Sequence, residues 1–281
     1  MTTEILRYAA FTADPAGGNL AGVVLDASAL DDAAMLAIAA DVGYSETAFV
    51  TGGDPATRRY RLRYFSPRVE VAFCGHATVA TAVALAERTG PGDLTFDTPA
   101  GEIVTATSTD GTGPARATMT SVPTRSRPAT DDELADTLRA LRWPAADLDP
   151  ALPPHVAYGG NEHLVLAAAD RARLADLAYD VDGLTDVMTR YGWTTVHLVW
   201  RETDEVYHAR DPFPVGGVVE DAATGAAAAA FGGYLRTLGL VPAGPVTIRQ
   251  GEDMGRPSEL VVHADPTDPR VRVTGAAVPT A

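Results

Sequence analysis

Residue types that handle protons or bind anions crowd into one short stretch, FCGHATVATA from Phe73 to Ala82. A thiol (Cys74), a glycine (Gly75) and an imidazole (His76) stand directly before an alanine-rich helix pattern that needs none of them to form. A second such pattern opens at Gly225 and Ala226, with Asp221 shortly ahead of it. The first N–H groups of a helix have no acceptor within it, and the helix dipole adds partial positive charge there. A glycine at that point lets a ligand approach the backbone, so both starts suit a carboxylate or phosphate. For either helix alone, a buried helix behind a glycine turn is the simpler reading. Glu46, in GYSETAFV, lies between strand-forming apolar residues. Desolvation there would raise its pKa toward the range of a general base. Taken alone, such a carboxylate could equally cap a turn or face solvent.

Composition narrows the chemistry. At 281 residues the chain can bury a substantial core, and its net charge of −15 disfavours nucleic acid as a partner. There is no lysine, since all 22 basic residues are arginine, which excludes a lysine Schiff base and ordinary pyridoxal phosphate chemistry. No GxGxxG or GxxxxGK[ST] pattern supports a nucleotide site, so no cofactor is expected. The single cysteine excludes an internal disulfide and a multi-cysteine zinc site. The acidic runs DDEL and EDAATG lack the spacing of a metal loop, His155 and His163 lack a third ligand, and no metal is expected. No apolar run approaches the ~20 residues of a membrane span, and MTTEILRYAAFTAD has no signal-peptide pattern. The expectation is a cytoplasmic protein.

The elements that must position these residues occur twice. Residues 69–102 lie over 219–252 without a gap, and Val69, Glu70, Ala72, Gly75, Ala77, Ala80, Leu85, Gly101 and Glu102 meet identical residues. GGNLAGVVL from Gly17 lies over GGNEHLVLA from Gly159, and VGYSETAFV from Val42 over YGWTTVHLV from Tyr191. The blocks keep their order, which predicts a duplicated domain and favours the anion-site reading of the paired helix starts. If the halves face one another, both helix N-termini open into one cleft. Each half reads as a strand, an amphipathic helix (DDAAMLAIAADVG or VDGLTDVMTRYG), further strands, the alanine-rich helix and more strand. RRYRLRYF alternates as a half-exposed strand, with its arginines on a solvated face. The pattern predicts an α+β fold of two pseudo-symmetric domains, each a mostly antiparallel, barrel-like sheet wrapped around a central helix. The first half spans residues 1–124, with Glu46 and His76, and is completed by segment 268–281. The second spans 125–267, with Asp221 and Gly225. The polar stretch from Thr120 to Leu134 reads as the join.

GGNLAGVVLDA, GYSETAFV, RYFSPRVEVAFCGHATVATA, VEDAATGAAAAAFGGYL and QGEDMGRPSEL stand in the order of five blocks of one family. The chain resembles the phenazine-biosynthesis isomerase-like family, which shares the diaminopimelate epimerase fold. That resemblance implies a cofactor-independent acid–base isomerase, a homodimer, acting on a small carboxylic acid. Glu46 matches the family's general base. His76 and Asp221 match residues that face the substrate, and Gly75, His76, Gly225 and Ala226 match the backbone donors for its carboxylate. Asn19, repeated as Asn161, reads first as a turn residue and second as a substrate contact.

Two positions depart from the family pattern. TGAA replaces TGSA, so Ala226 keeps the backbone donor and loses a hydroxyl that would reach the ligand, and Ala222 replaces a proline. The substrate therefore stays open between trans-2,3-dihydro-3-hydroxyanthranilate and a related compound. Related racemases place a cysteine before each helix; here Cys74 has Thr224 as its counterpart, too weak a base for two-base exchange. The alternatives are a one-base dehydratase or epimerase of a small amino or imino acid, or a small-carboxylate-binding protein without activity.

Overall fold

A computed structural model of the chain describes residues 3–109 and 111–281. Two units divide it: the residues up to Thr120 together with Thr274–Ala281, and Ser121–Val273. The chain begins with β1 (Leu6–Ala10), β2 (Asn19–Val24), α1 (Asp32–Val42), β3 (Glu46–Asp54), β4 (Arg59–Phe65), β5 (Glu70–Val71), α2 (Gly75–Thr89), β6 (Gly92–Thr98), β7 (Gly101–Ser108) and β8 (Arg116–Thr120). Next come β9 (Arg125–Pro128), α3 (Asp131–Leu141), β10 (His155–Tyr158), β11 (Glu162–Ala167), α4 (Arg171–Ala175), α5 (Val181–Tyr191) and β12 (Thr195–Arg201). The remainder is β13 (Val206–Pro212), β14 (Glu220–Asp221), α6 (Gly225–Leu238), β15 (Val246–Gln250), β16 (Ser258–Ala264) and β17 (Val271–Pro279).

In the first unit β1 pairs with β2, β2 with β3, β3 with β4, β4 with β6, β6 with β7 and β7 with β8. β17 pairs with both β8 and β1 and so closes the ring into a barrel. The β2–β3 and β4–β6 pairings are parallel, and β1–β2, β1–β17, β3–β4, β6–β7 and β7–β8 are antiparallel. α2 packs against β1, β2, β3, β7 and β8, and every residue from His76 to Ala86 is buried. A helix apolar on all sides is stable only when enclosed, and the alanines of α2 let the surrounding strands come close. On the other face of the sheet, α1 sets Met35 and Ala39 against Val24, Phe49 and Phe65. α1 is delimited as its sequence requires, with the Asp31 carboxylate accepting from the Ala34 N–H and Gly43 left-handed at its end.

The second unit repeats this order. β11 and β12 pair in parallel as β2 and β3 do, β13 and β15 as β4 and β6 do, and the short β14 folds back on β13 as β5 does on β4. α6 packs against β9, β10, β11 and β16. Gly159 is forced by that packing, because a Cβ there would meet the Ala230 nitrogen at 2.6 Å and the Ala226 carbonyl at 2.7 Å. On the opposite face, α3 and α5 bury Leu138, Leu141, Leu184 and Met188 against Leu164, Leu166, Val196 and Leu198.

The stretch from Thr120 to Leu134 is not a plain join, since it contains β9 and the first turns of α3. Thr130 accepts from the Glu133 N–H and Glu133 accepts from the Thr130 N–H, a complete capping box, with Asp131 and Asp132 in the acidic first turn. The run DDEL is therefore a helix start.

Candidate functional site

Strand alternation decides which side chains meet α2. Phe49 points outward against α1, so Ala48 and Glu46 point inward from β3. β2 pairs in parallel with β3 at Ala21↔Glu46, which puts Ala21 and Asn19 on the same inner face. The start of α2 lies there, and four side chains converge on His76. Asn19 Nδ2 is 3.1 Å from His76 Nδ1, Ser45 Oγ is 3.4 Å from Nε2, and Cys74 Sγ is 3.4 Å from Nδ1. Glu46 Oε2 is 3.5 Å from Nε2 and 3.6 Å from Cys74 Sγ. With the Asn19 amide donating, Nδ1 accepts and the ring proton sits on Nε2, the nitrogen facing Glu46.

The electrostatics follow from burial. The side chain of His76 is 6% exposed and that of Glu46 14%. Desolvation pushes the Glu46 carboxyl above its ordinary value, while hydrogen bonds from Ser45 and Cys74 partly offset the rise. Cys74 occupies the N-cap position of α2 without capping it by its side chain, so the thiol is turned to Glu46 and His76 instead. Gly75 opens the helix, and the N–H groups of this first turn carry the positive end of the dipole.

In the second unit Asp221, Gly225 and Ala226 gather at the start of α6. The Thr224 hydroxyl donates to Asp221 Oδ2 at 2.7 Å, and Gln250 ties the turn together. Its Nε2 donates to the Asp221 carbonyl at 2.8 Å and its Oε1 accepts from the Thr224 N–H at 3.1 Å. Gly251 follows with φ +75°, and a Cβ there would strike the Arg256 and Ala222 carbonyls. Thr195 holds the place in β12 that Glu46 holds in β3, pairing with His163 as Glu46 pairs with Ala21. Its hydroxyl donates to Asp211 Oδ1 at 2.9 Å and lies 2.8 Å from His163 Nδ1, while His197 Nδ1 is 2.9 Å from Asp211 Oδ2. This position is thus part of a fully buried polar network in one unit and a largely buried carboxylate beside an imidazole in the other.

The structure brings Asn19, Glu46, Gly75 and His76 together in the first unit, and Asp221, Gly225 and Ala226 in the second. Asn19 is not a simple turn residue: it opens β2 and its amide meets His76. Cys74, noted in the sequence as a thiol before the helix, joins the first cluster, and Ser45 and Gln250 join the two clusters without having been singled out. Ser45 adjoins Glu46 and Gln250 lies in the QGEDMGRPSEL block, which were the available signals.

Comparison with known proteins bears on this geometry. The family described as Phenazine biosynthesis-like protein matches residues 8–281. The uncharacterized isomerase YddE of Escherichia coli O157:H7 is 31% identical, over 99% of this chain and 96% of that one. The trans-2,3-dihydro-3-hydroxyanthranilate isomerase of Pseudomonas fluorescens is 31% identical, over 91% of this chain and 88% of that one. The crystal structure of a phenazine biosynthesis protein of the PhzF family from Bacillus anthracis superposes with a TM-score of 0.86 at 26% identity, covering 100% of this chain and 98% of that one. Among the described residues, no helix is long and apolar enough to cross a membrane.

Proposed function

The chain belongs to the phenazine biosynthesis-like protein family and is an isomerase, and from that premise we propose that it moves a proton between carbons of a small carboxylic acid, with Glu46 as the base and no cofactor. The observation that carries this reading is the cluster at the start of α2, where the Glu46 carboxylate lies within 3.5 Å of His76 Nε2 on a buried inner face. The substrate carboxylate binds at the N–H groups of Gly75 and His76, where the helix dipole favours negative charge. Glu46 removes a proton from a carbon made acidic by neighbouring unsaturation, and the electron pair shifts along the conjugated system. The proton then returns at a different carbon, so bonds and charge balance without a redox partner. Burial suits Glu46 to this task by raising its basicity above that of an exposed carboxylate. The Nε2–H of His76 carries or relays the proton between steps. Asp221, Gly225 and Ala226 are assigned by the family motif to substrate contact. A two-thiol racemase is disfavoured because Thr224, at the position of the second thiol, has its hydroxyl engaged by Asp221 and Gln250.

The substrate class is a small cyclic or amino-substituted carboxylate, with trans-2,3-dihydro-3-hydroxyanthranilate, the compound named for the Pseudomonas fluorescens relative, as its first member. The test is deuterium incorporation from solvent into a panel of such acids by wild type and Glu46→Gln. Exchange in the wild type that is lost in the variant, with ligand binding retained, supports the reading. Binding of a panel member with no exchange by either protein would overturn it in favour of a carboxylate-binding protein.

A further inference from the structure

Among the described residues, Glu46, Cys74 and His76 are a set of three different donor types whose ligand atoms all lie within 4.8 Å of one another. We propose that these three side chains form a binding site for a thiophilic divalent cation, Zn2+ fitting best, and that its occupancy blocks the acid–base chemistry of the same residues.

The donor set and its spacing both favour Zn2+. Thiolate, imidazole and carboxylate are the ligands zinc takes, and sites with three protein ligands leave a fourth position for water. Bonds of about 2.3 Å to sulfur and about 2.0–2.1 Å to nitrogen and oxygen, at tetrahedral angles, set the donors about 3.3–3.6 Å apart. Here Cys74 Sγ to Glu46 Oε2 is 3.6 Å, Cys74 Sγ to His76 Nε2 is 3.7 Å and His76 Nε2 to Glu46 Oε2 is 3.5 Å. The separations match three edges of a zinc tetrahedron, while the thiol, 3.4 Å from Nδ1, lies over the ring, so the imidazole turns to aim its Nε2 lone pair at the ion. Asn19 and Ser45 supply the surrounding support. Asn19 sits on His76 Nδ1, and turning its amide lets the carbonyl accept an Nδ1–H, the arrangement that orients a metal-bound imidazole. Binding displaces the thiol proton and moves the imidazole proton from Nε2 to Nδ1, so the bound state is favoured as pH rises. Two anionic ligands offset the positive end of the α2 dipole, and that dipole itself favours the thiolate. Mg2+ and Ca2+, which take oxygen ligands, are not accommodated by this set.

The site is invisible as a sequence motif because its ligands come from β3 and from both sides of the α2 start, brought together by tertiary packing. Cation binding is measured without substrate, so its outcome is separate from whether Glu46 is the catalytic base.

The experiment titrates the full chain with Co2+ as a spectroscopic stand-in for Zn2+. Expected are a thiolate-to-cobalt charge-transfer band in the near ultraviolet, the visible bands of tetrahedral cobalt, one ion per chain, and loss of all three signals on adding Zn2+ but not Mg2+. Cys74 is the only cysteine, so the charge-transfer band in the wild type reports on that thiol without any variant. Glu46→Gln and His76→Gln, checked for folding by circular dichroism, should each weaken binding roughly tenfold or more. Absence of the charge-transfer band in the wild type would overturn the proposal, as would wild-type affinity in both folded variants.

Discussion

The Asn19 amide donates to His76 Nδ1 at 3.1 Å, and this contact decides which imidazole nitrogen faces Glu46. Without that donor, Nδ1 is able to carry the ring proton, and Nε2 then faces the carboxylate as an acceptor. Asn19→Ala is therefore expected to lower kcat about tenfold, with a smaller change in KM, as for the partial loss of a general acid–base group. Steady-state kinetics on whichever acid undergoes exchange checks this. An effect confined to KM would mean that Asn19 binds substrate and does not position His76.

Ala226 stands where the family pattern has a serine. It is half-buried at the start of α6. A hydroxyl there that reached an ionised substrate group would contribute about 1.5–3 kcal/mol. Ala226→Ser is thus expected to raise kcat/KM for trans-2,3-dihydro-3-hydroxyanthranilate by about tenfold or more. An unchanged value alongside activity on another acid would show that the alanine belongs to a different substrate.

The capping box at α3 has a plain stability consequence. Thr130→Ala removes the acceptor for the Glu133 N–H, while the Glu133 carboxylate keeps the backbone N–H of residue 130 and its pair with Arg127 at 2.6 Å. The expected loss is about 1 kcal/mol, read as a lower urea midpoint at unchanged slope. A midpoint equal to wild type would remove the capping box from the list of features that hold α3.

His163 gives stability a pH dependence of known sign. Complete burial pushes its pKa down from 6.5 to about 3, so it stays neutral in the folded chain, while in the unfolded chain it takes up a proton below about 6.5. The unfolded state then binds more protons, and stability falls as pH drops from 6.5 toward 3. The slope reaches up to about 1.4 kcal/mol per pH unit from this one residue. Urea unfolding across that window measures it, and His163→Gln should flatten the slope. An equal slope in the variant would place the proton uptake elsewhere.

How far the sequence could be read depended on whether the determining interactions were local. The alanine-rich helices were legible because a continuous apolar pattern behind a glycine has few other readings, and the repeat named their surroundings. α3 escaped because its opening residues, Asp131, Asp132 and Glu133, look like a solvated acidic run; the signal was the Thr130–Glu133 box. The convergence on His76 depends on the parallel register Ala21↔Glu46, which turns Asn19 and Glu46 to one face. No pattern along the chain encodes that register. The same holds for Thr195, whose hydroxyl bonds to Asp211 and His163 are set by pairing between strands.

The barrel of the first unit is closed by β17, whose residues Ala277–Pro279 pair with Ala10–Tyr8. During synthesis this strand emerges only after the whole of the second unit has been made. The usual order, in which an N-terminal domain finishes folding while the next is still being translated, is therefore denied to this chain. Until β17 has been made, α2 and the residues around His76 sit in an open sheet with two unpaired edges, β1 and β8. The nascent chain has to be shielded from aggregation longest at the strands beside the proposed site.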